Sequence, residues 1–259
     1  MDITIDLGEC SGAALRTSVV ALTHGHADHI GGLAMYLGVR SLYGMPDPTI
    51  ITPPGTVAAM TDLIDSLGRL QGKPFKARIV PAPEFDRTMD LDNGLRLGTF
   101  RVNHYPGDLA EGLACGYVLS RVTRRLRSDF VGLPGPVIAE ARSRDPGIVT
   151  EDVLPLVAVS GDTTPEWIAA APEHVLQARV LFQECTFLGR GRDPQAAQKS
   201  MHTHVDELLK LLPLARNRAV VLYHVSQIYR PEDARELINA AVAGVTGPRV
   251  HLFDMGDRL

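Results

Sequence analysis

Cysteine is scarce: Cys10, Cys115 and Cys185 are the only three in 259 residues, and no Cys-x-x-Cys spacing occurs. An odd, sparse set excludes a disulfide framework and points to reduced thiols. No run of eighteen or more apolar residues is present, so no membrane span is expected. The opening Met1-Asp2-Ile3-Thr4-Ile5-Asp6 lacks the basic start and apolar stretch of a secretion signal, and a cytoplasmic protein is expected. Positive charge is not in excess either, with a net charge of -4 and a pI of about 6.1. That excludes a global basic field for nucleic acid and leaves such binding to local patches. Internal repeats and low-complexity tracts are absent. What remains is 45% apolar and 22% charged, enough to bury a sizeable core in a globular protein. The whole of 1–259 reads as one domain.

Short runs rich in Val, Ile, Leu and Phe, bounded by Gly or Pro, predict strands at 3–7, 18–23, 50–52, 77–80, 95–103, 116–119, 156–160, 180–183, 219–223 and 250–253. Apolar periodicity predicts helices at 57–70, 205–212 and 231–242. In the last, Pro231 suits the first turn, and Glu232 and Asp233 complement the positive end of the helix dipole. Many strands with a few amphipathic helices imply an α/β protein, sheets covered by helices. The segment 121–150 does not read as core. It holds Arg121, Arg124, Arg125, Arg127, Arg142 and Arg144 beside Gly132-Leu133-Pro134-Gly135-Pro136, and reads as a protruding, locally basic arm.

The chemistry starts where the apolar run Val19-Val20-Ala21-Leu22 ends. His24-Gly25-His26-Ala27-Asp28-His29 puts four potential ligands within six residues, interleaved with small ones. A compact turn there points His24 and His26 one way, and Asp28 and His29 another. Neutral imidazole and carboxylate are ligands that zinc accepts, so the loop seats two metals side by side. Manganese or iron would also suit such donors. Completing two shells needs ligands from other strand ends. His104 closes the strand 95–103, Asp162 follows 156–160, and His224 closes Ala219-Val220-Val221-Leu222-Tyr223. A single histidine after a strand is ordinarily a hydrogen-bonded rim residue, but all three share the position of the first cluster. Asp162 suits a bridge, because one anion shared by two dications lowers their repulsion.

In this order, the residues resemble the metallo-β-lactamase superfamily, and within it ribonuclease Z, the tRNA 3′-end-processing endonucleases. His24–His29 followed by Ile30-Gly31-Gly32-Leu33 matches the superfamily. Ser160-Gly161-Asp162-Thr163-Thr164, Glu184-Cys185-Thr186-Phe187, His202-Thr203-His204-Val205-Asp206-Glu207 and Leu222-Tyr223-His224-Val225-Ser226 match the narrower family, and the likeness starts at Ile5-Asp6-Leu7-Gly8-Glu9-Cys10. The resemblance implies an αββα sandwich of two mixed β-sheets with outer helices. It implies one zinc on His24, His26 and His104, another on Asp28, His29 and His224, and Asp162 bridging. It further implies that Arg121, Arg124, Arg125 and Arg127 grip tRNA phosphates from a homodimer's arm. The sequence departs from the pattern in starting at the family's second or third strand, in Ile228 where the family has arginine, in a longer loop at 105–115 and in a short arm.

Two metals in such a site clamp a phosphodiester and bring bound water to a pKa of about 7, and Asp28 orients that water. The leaving ribose 3′ oxygen needs a proton. By spacing alone, Glu184 and His202 read equally as an acid pair or as surface groups beside the solvated helix face of Asp206, Glu207 and Lys210. The resemblance implies that His202 is the acid and Glu184 holds its ring; His204 ranks second. His174 and His251 read as exposed or packing residues, and Trp167 as packing near the Asp162 turn. The leading expectation is therefore an endoribonuclease trimming precursor tRNA 3′ trailers. The alternatives are hydrolysis of a small phosphodiester or other ester, and a non-catalytic RNA-binding scaffold.

Overall fold

The computed structural model describes residues 3–85, 87–106, 112–189 and 191–253. Of the expected long loop at 105–115, residues 107–111 lie outside the described residues. Among the described residues, eleven strands form two sheets: β1 (Ile3–Ile5), β2 (Val19–Ala21), β3 (Thr49–Thr52), β4 (Arg78–Pro81), β5 (Thr88–Asp90), β6 (Leu95–Phe100), β7 (Gly116–Leu126), β8 (Val149–Val159), β9 (Val180–Glu184), β10 (Ala219–Tyr223) and β11 (Arg249–Leu252). The smaller sheet has the order β1-β2-β3-β4 and the larger the order β11-β10-β9-β8-β7-β6-β5.

The alternation of side chains along each strand builds the layers. Along β2, Val19 and Ala21, with Ile51 of the neighbouring β3, face the other sheet, where they meet Leu97, Cys115 and Tyr117. The intervening Val20, with Leu22, faces outward onto Leu33, Tyr36, Leu37, Met60 and Ile64. Those partners belong to the helices Leu33–Leu42 and Val57–Leu70. The larger sheet behaves likewise. Tyr117 points inward while Val118 points out to a cluster with Trp167, Val205, Leu208, Ala234 and Ile238. The result is helix, sheet, sheet, helix, which is the αββα sandwich.

One detail differs from two mixed sheets. The larger is mixed, but the smaller is parallel throughout. The links from β2 to β3 and from β3 to β4 run through helices, and a helical crossover returns the chain in the same direction.

Strand ends also shift. The expected strand 95–103 stops at Phe100, because Asn103 bonds elsewhere: its N–H donates to Thr163 Oγ1 at 2.9 Å and its carbonyl accepts from Thr164 N–H at 3.0 Å. Leaving the ladder there ties His104 to the turn that carries Asp162. The expected strands 116–119 and 156–160 extend into an antiparallel ribbon pairing Tyr117 with Val159 and Leu126 with Val149. The arm is thus this ribbon plus an exposed helix, Gly135–Arg144. Its arginines face carboxylates: Arg124 reaches Glu151 at 2.8 Å and Asp90 at 2.9 Å, Arg125 reaches Asp152 at 3.1 Å, and Arg127 reaches Asp129 at 2.8 Å. Exposed pairs of this kind are screened by water and add little stability, so they open readily for another anion.

Among the described residues, no helix is long and apolar enough to cross a membrane.

Candidate metal centre

His24, His104, Asp162, Glu184 and His224 all sit at or just beyond strand ends on one rim of the sandwich. Two ligand sets converge there: His24, His26, His104 and Asp162, and beside them Asp28, His29, Asp162 and His224. All seven residues expected as ligands are therefore together, and Asp162 belongs to both sets.

The donor spacings test whether metal fits. In the first set, His26 Nδ1 to His104 Nε2 is 3.0 Å, and Asp162 Oδ2 lies 3.7 Å from His24 Nε2 and 3.8 Å from His104 Nε2. In the second, Asp162 Oδ1 is 3.2 Å from His29 Nε2 and 3.5 Å from His224 Nε2, while Asp28 Oδ2 is 3.2 Å from His224 Nε2. Tetrahedral zinc with bonds of about 2.0–2.1 Å sets its donors about 3.4 Å apart, in the middle of these spacings. His24 Nε2 and Asp162 Oδ1 are moreover buried without a hydrogen-bond partner. Buried polar atoms are rarely left so, and a cation in each set would satisfy one of them, His24 Nε2 in the first and Asp162 Oδ1 in the second.

Two carboxylates aim the imidazoles. Asp6 Oδ2 accepts from His29 Nδ1 at 2.7 Å and from the Thr23 hydroxyl at 2.8 Å, and Asp6 Oδ1 accepts from Thr23 N–H at 2.7 Å. With its proton on Asp6, the Thr23 hydroxyl is left to accept from His24 Nδ1 at 3.0 Å. One carboxylate thus turns the Nε2 atoms of His24 and His29 toward Asp162 and the two ligand sets. Glu184 does the same opposite. It is fully buried and accepts from the backbone N–H groups of Thr163, Thr186 and Thr203, from the Thr186 hydroxyl at 3.0 Å and from His202 Nδ1 at 3.1 Å. The same Thr186 hydroxyl accepts from His224 Nδ1 at 3.0 Å. His104 Nδ1 donates to the carbonyl of Met201 at 3.2 Å.

The backbone is bent to this purpose. The described non-glycine residues with positive φ are Asp6, Met201 and His224, and all three belong to these contacts. Each such residue costs about 1–3 kcal/mol and persists only where its surroundings impose it. Gly161, at φ 65°, precedes Asp162, and a Cβ there would lie 2.7 Å from that of Thr23. At Gly8 a Cβ would meet the Asp28 carbonyl at 1.9 Å, so only glycine lets the chain after β1 brace the ligand loop.

Burial, reinforced by neighbouring imidazoles, holds His24 down to about 2, and burial likewise holds His104 down to about 4, so both are neutral donors at physiological pH. Burial also opposes charge on His29, but the carboxylates of Asp162 and Asp6 outweigh it and lift His29 to about 10. At His202 burial is again outweighed, by the hydrogen bond and charge of Glu184 and then by Asp162 and Asp28, so its pKa stands above the ordinary value.

Two consequences are measurable. Without metal, His29 keeps a proton on Nε2 until well above neutrality, so proton and metal compete for one atom. Apparent zinc affinity, read by chelator competition, should fall steadily between about pH 8 and about pH 6; an unchanged affinity contradicts the assignment. Asp6→Asn removes the charge but keeps a side chain that tolerates positive φ. It should weaken zinc binding about 10–100-fold with the fold intact by circular dichroism.

Sequence reasoning missed Asp6, Thr23, Thr186 and the Met201 carbonyl. Asp6 lay inside a quoted motif, but its role depends on the pairing of Ile5 with Ala21, which sets it beside Thr23. His204, the second candidate acid, is not free for that role. It is buried, accepts from Asp206 N–H at 3.1 Å through Nδ1, caps the helix Val205–Leu211, and meets the Arg192 carbonyl through Nε2 at 3.1 Å. His174 and His251 are exposed. Trp167 is packed on Phe100 and bonded to Gln183, with no face for a base. Ile228 is exposed.

The metallo-beta-lactamase superfamily profile matches residues 14–116. The chain is 29% identical over 235 residues to chloroplastic tRNase Z TRZ2 of Arabidopsis thaliana, covering 90% of this chain but only 64% of that protein's length. It is 28% identical to tRNase Z TRZ1 of the same plant, covering 98% and 88% of the two chains. Against nuclear ribonuclease Z of Triticum aestivum it is 30% identical over 139 residues, 53% of this chain and 74% of the other. Among solved structures, the metallo-beta-lactamase fold protein YhfI of Bacillus subtilis superposes with a TM-score of 0.62 at 13% identity, covering 98% and 85%, which supports the fold.

Proposed function

Because this chain belongs to the ribonuclease Z family of the metallo-β-lactamase superfamily and so to the metal-dependent hydrolases, we propose that it is a dinuclear zinc endoribonuclease removing 3′ trailers from precursor tRNA. The observation that carries this is the contact of His202 with Glu184 at 3.1 Å beside the two ligand sets. A small activated ester leaves without help, whereas a ribose 3′ oxygen requires an acid.

Zinc held by these residues supplies Lewis-acid charge and a nucleophilic water at neutral pH. Asp28 is exposed on the open side, where it orients the attacking water. His202 holds its Nδ1–H on Glu184, which leaves Nε2 to deliver a proton to the departing 3′ oxygen. Glu184 supports the resulting geometry from a buried position and, through Thr186, aims His224 as well. The paired arginines of the arm, Arg124, Arg125 and Arg127, exchange their carboxylate partners for tRNA phosphates, which gives affinity without sequence reading. A homodimer in which each arm serves the partner's centre suits an arm that packs little against its own domain.

Hydrolysis of a small phosphodiester is the second reading, favoured by the arginines' existing carboxylate partners. Incubation with precursor tRNA beside bis(p-nitrophenyl)phosphate separates the two. The proposal expects trailer release that a chelator abolishes; cleavage of the small ester alone would sink it.

A further inference from the structure

Two clefts flank the metal centre, and their chemistry differs. One, of about 520 Å³, opens beside Asp28 and His224 and is walled largely by apolar groups, among them Val159, Val225 and Phe253. The other, of about 230 Å³, opens beside His202 and is polar. Its walls include Glu166 and Glu207 together with Gln195 and Gln198, which stand three apart on the helix Pro194–Lys199 and so share a face. No lysine or arginine is among its described lining residues.

Glu207 in this wall is paired with Lys210 at 2.6 Å, so beside His202 the carboxylate open to a ligand is Glu166, which with the glutamine amide oxygens accepts N–H donors. His202 lines it, and His202 is the group that meets the departing 3′ oxygen. A ribose that carries this oxygen to His202 at the mouth of the cleft can direct its base inside. We propose that the cleft is a subsite for the base immediately 5′ of the cut, selecting bases with an exocyclic amino group. This rests on the RNA-cleaving reading above. Adenine, cytosine and guanine each present such a donor to Glu166 and to the amide oxygens of Gln195 and Gln198. Uracil instead presents carbonyl oxygens on both sides of its ring N–H, and these face Glu166 unfavourably.

The test is a set of four precursor tRNAs that differ only in the nucleotide before the cut, competed in one reaction and compared by kcat/KM. The uridine substrate should be cut about tenfold less efficiently, as expected for losing one hydrogen bond to a charged acceptor. Glu166→Ala and Gln198→Ala, both on exposed positions, should each bring that ratio toward one. Equal efficiencies in the unmodified enzyme, or a preference intact in both variants, would overturn the subsite. Failure to cut any of the four, with bis(p-nitrophenyl)phosphate still hydrolysed, would overturn the endoribonuclease reading instead.

Discussion

Asp162→Ala is expected to abolish hydrolysis of precursor tRNA and of bis(p-nitrophenyl)phosphate alike. Asp162 is the one residue in both ligand sets, so its loss opens both sets and removes the anion that two dications would share. It is nearly fully buried, and its carboxyl is held well below the usual carboxylate range: burial opposes ionisation, but His29, His224 and His24 outweigh it. Removing it leaves imidazoles converging with no compensating charge. The loss should far exceed the roughly 100-fold upper range for an outer-shell partner. Metal content should fall in step, while Gly161 and the Thr163 contacts keep the turn. Steady-state rates on both substrates with metal analysis decide it; a variant that retains a tenth of either rate contradicts the bridging role.

The second large effect is selective. His202→Ala should lower kcat for precursor tRNA by about 10²–10⁴, the usual worth of a positioned general acid. On bis(p-nitrophenyl)phosphate the same variant should lose less than about tenfold, since nitrophenolate departs without a proton. His202 is a cleaner target than Glu184. Every partner of Glu184 is a donor, so an amide there would turn N–H groups against N–H groups in a buried site. Equal losses on the two substrates would show that His202 shapes the centre and does not act as the acid.

Some of this was legible because it is local. His24–His29 lies within one turn after one strand, and its spacing states two divergent ligand pairs without any knowledge of the fold. Val19–Leu22 is apolar at every position, as a strand covered on both faces must be. Other parts are set by register. Asp6 and Thr23 are 17 residues apart and meet only through parallel pairing, and Thr186 earns its place from Glu184, His202 and His224 together. The ribbon beyond Val122 is exposed on both faces, so no alternating apolar signal marks it, and arginines there resemble a loop. The helix Leu33–Leu42 shows no clean apolar stripe in the sequence because Arg40 interrupts it; Arg40 is in fact buried, donating to the carbonyls of Leu15, Thr17 and Pro46. The strand β5, three residues at the sheet edge, is too short to carry a pattern.

The proposed chemistry rests on two ions sharing Asp162, and elemental analysis of the purified chain, after zinc loading and removal of excess, measures this most directly. The account predicts two equivalents per chain, and about one or fewer would contradict it.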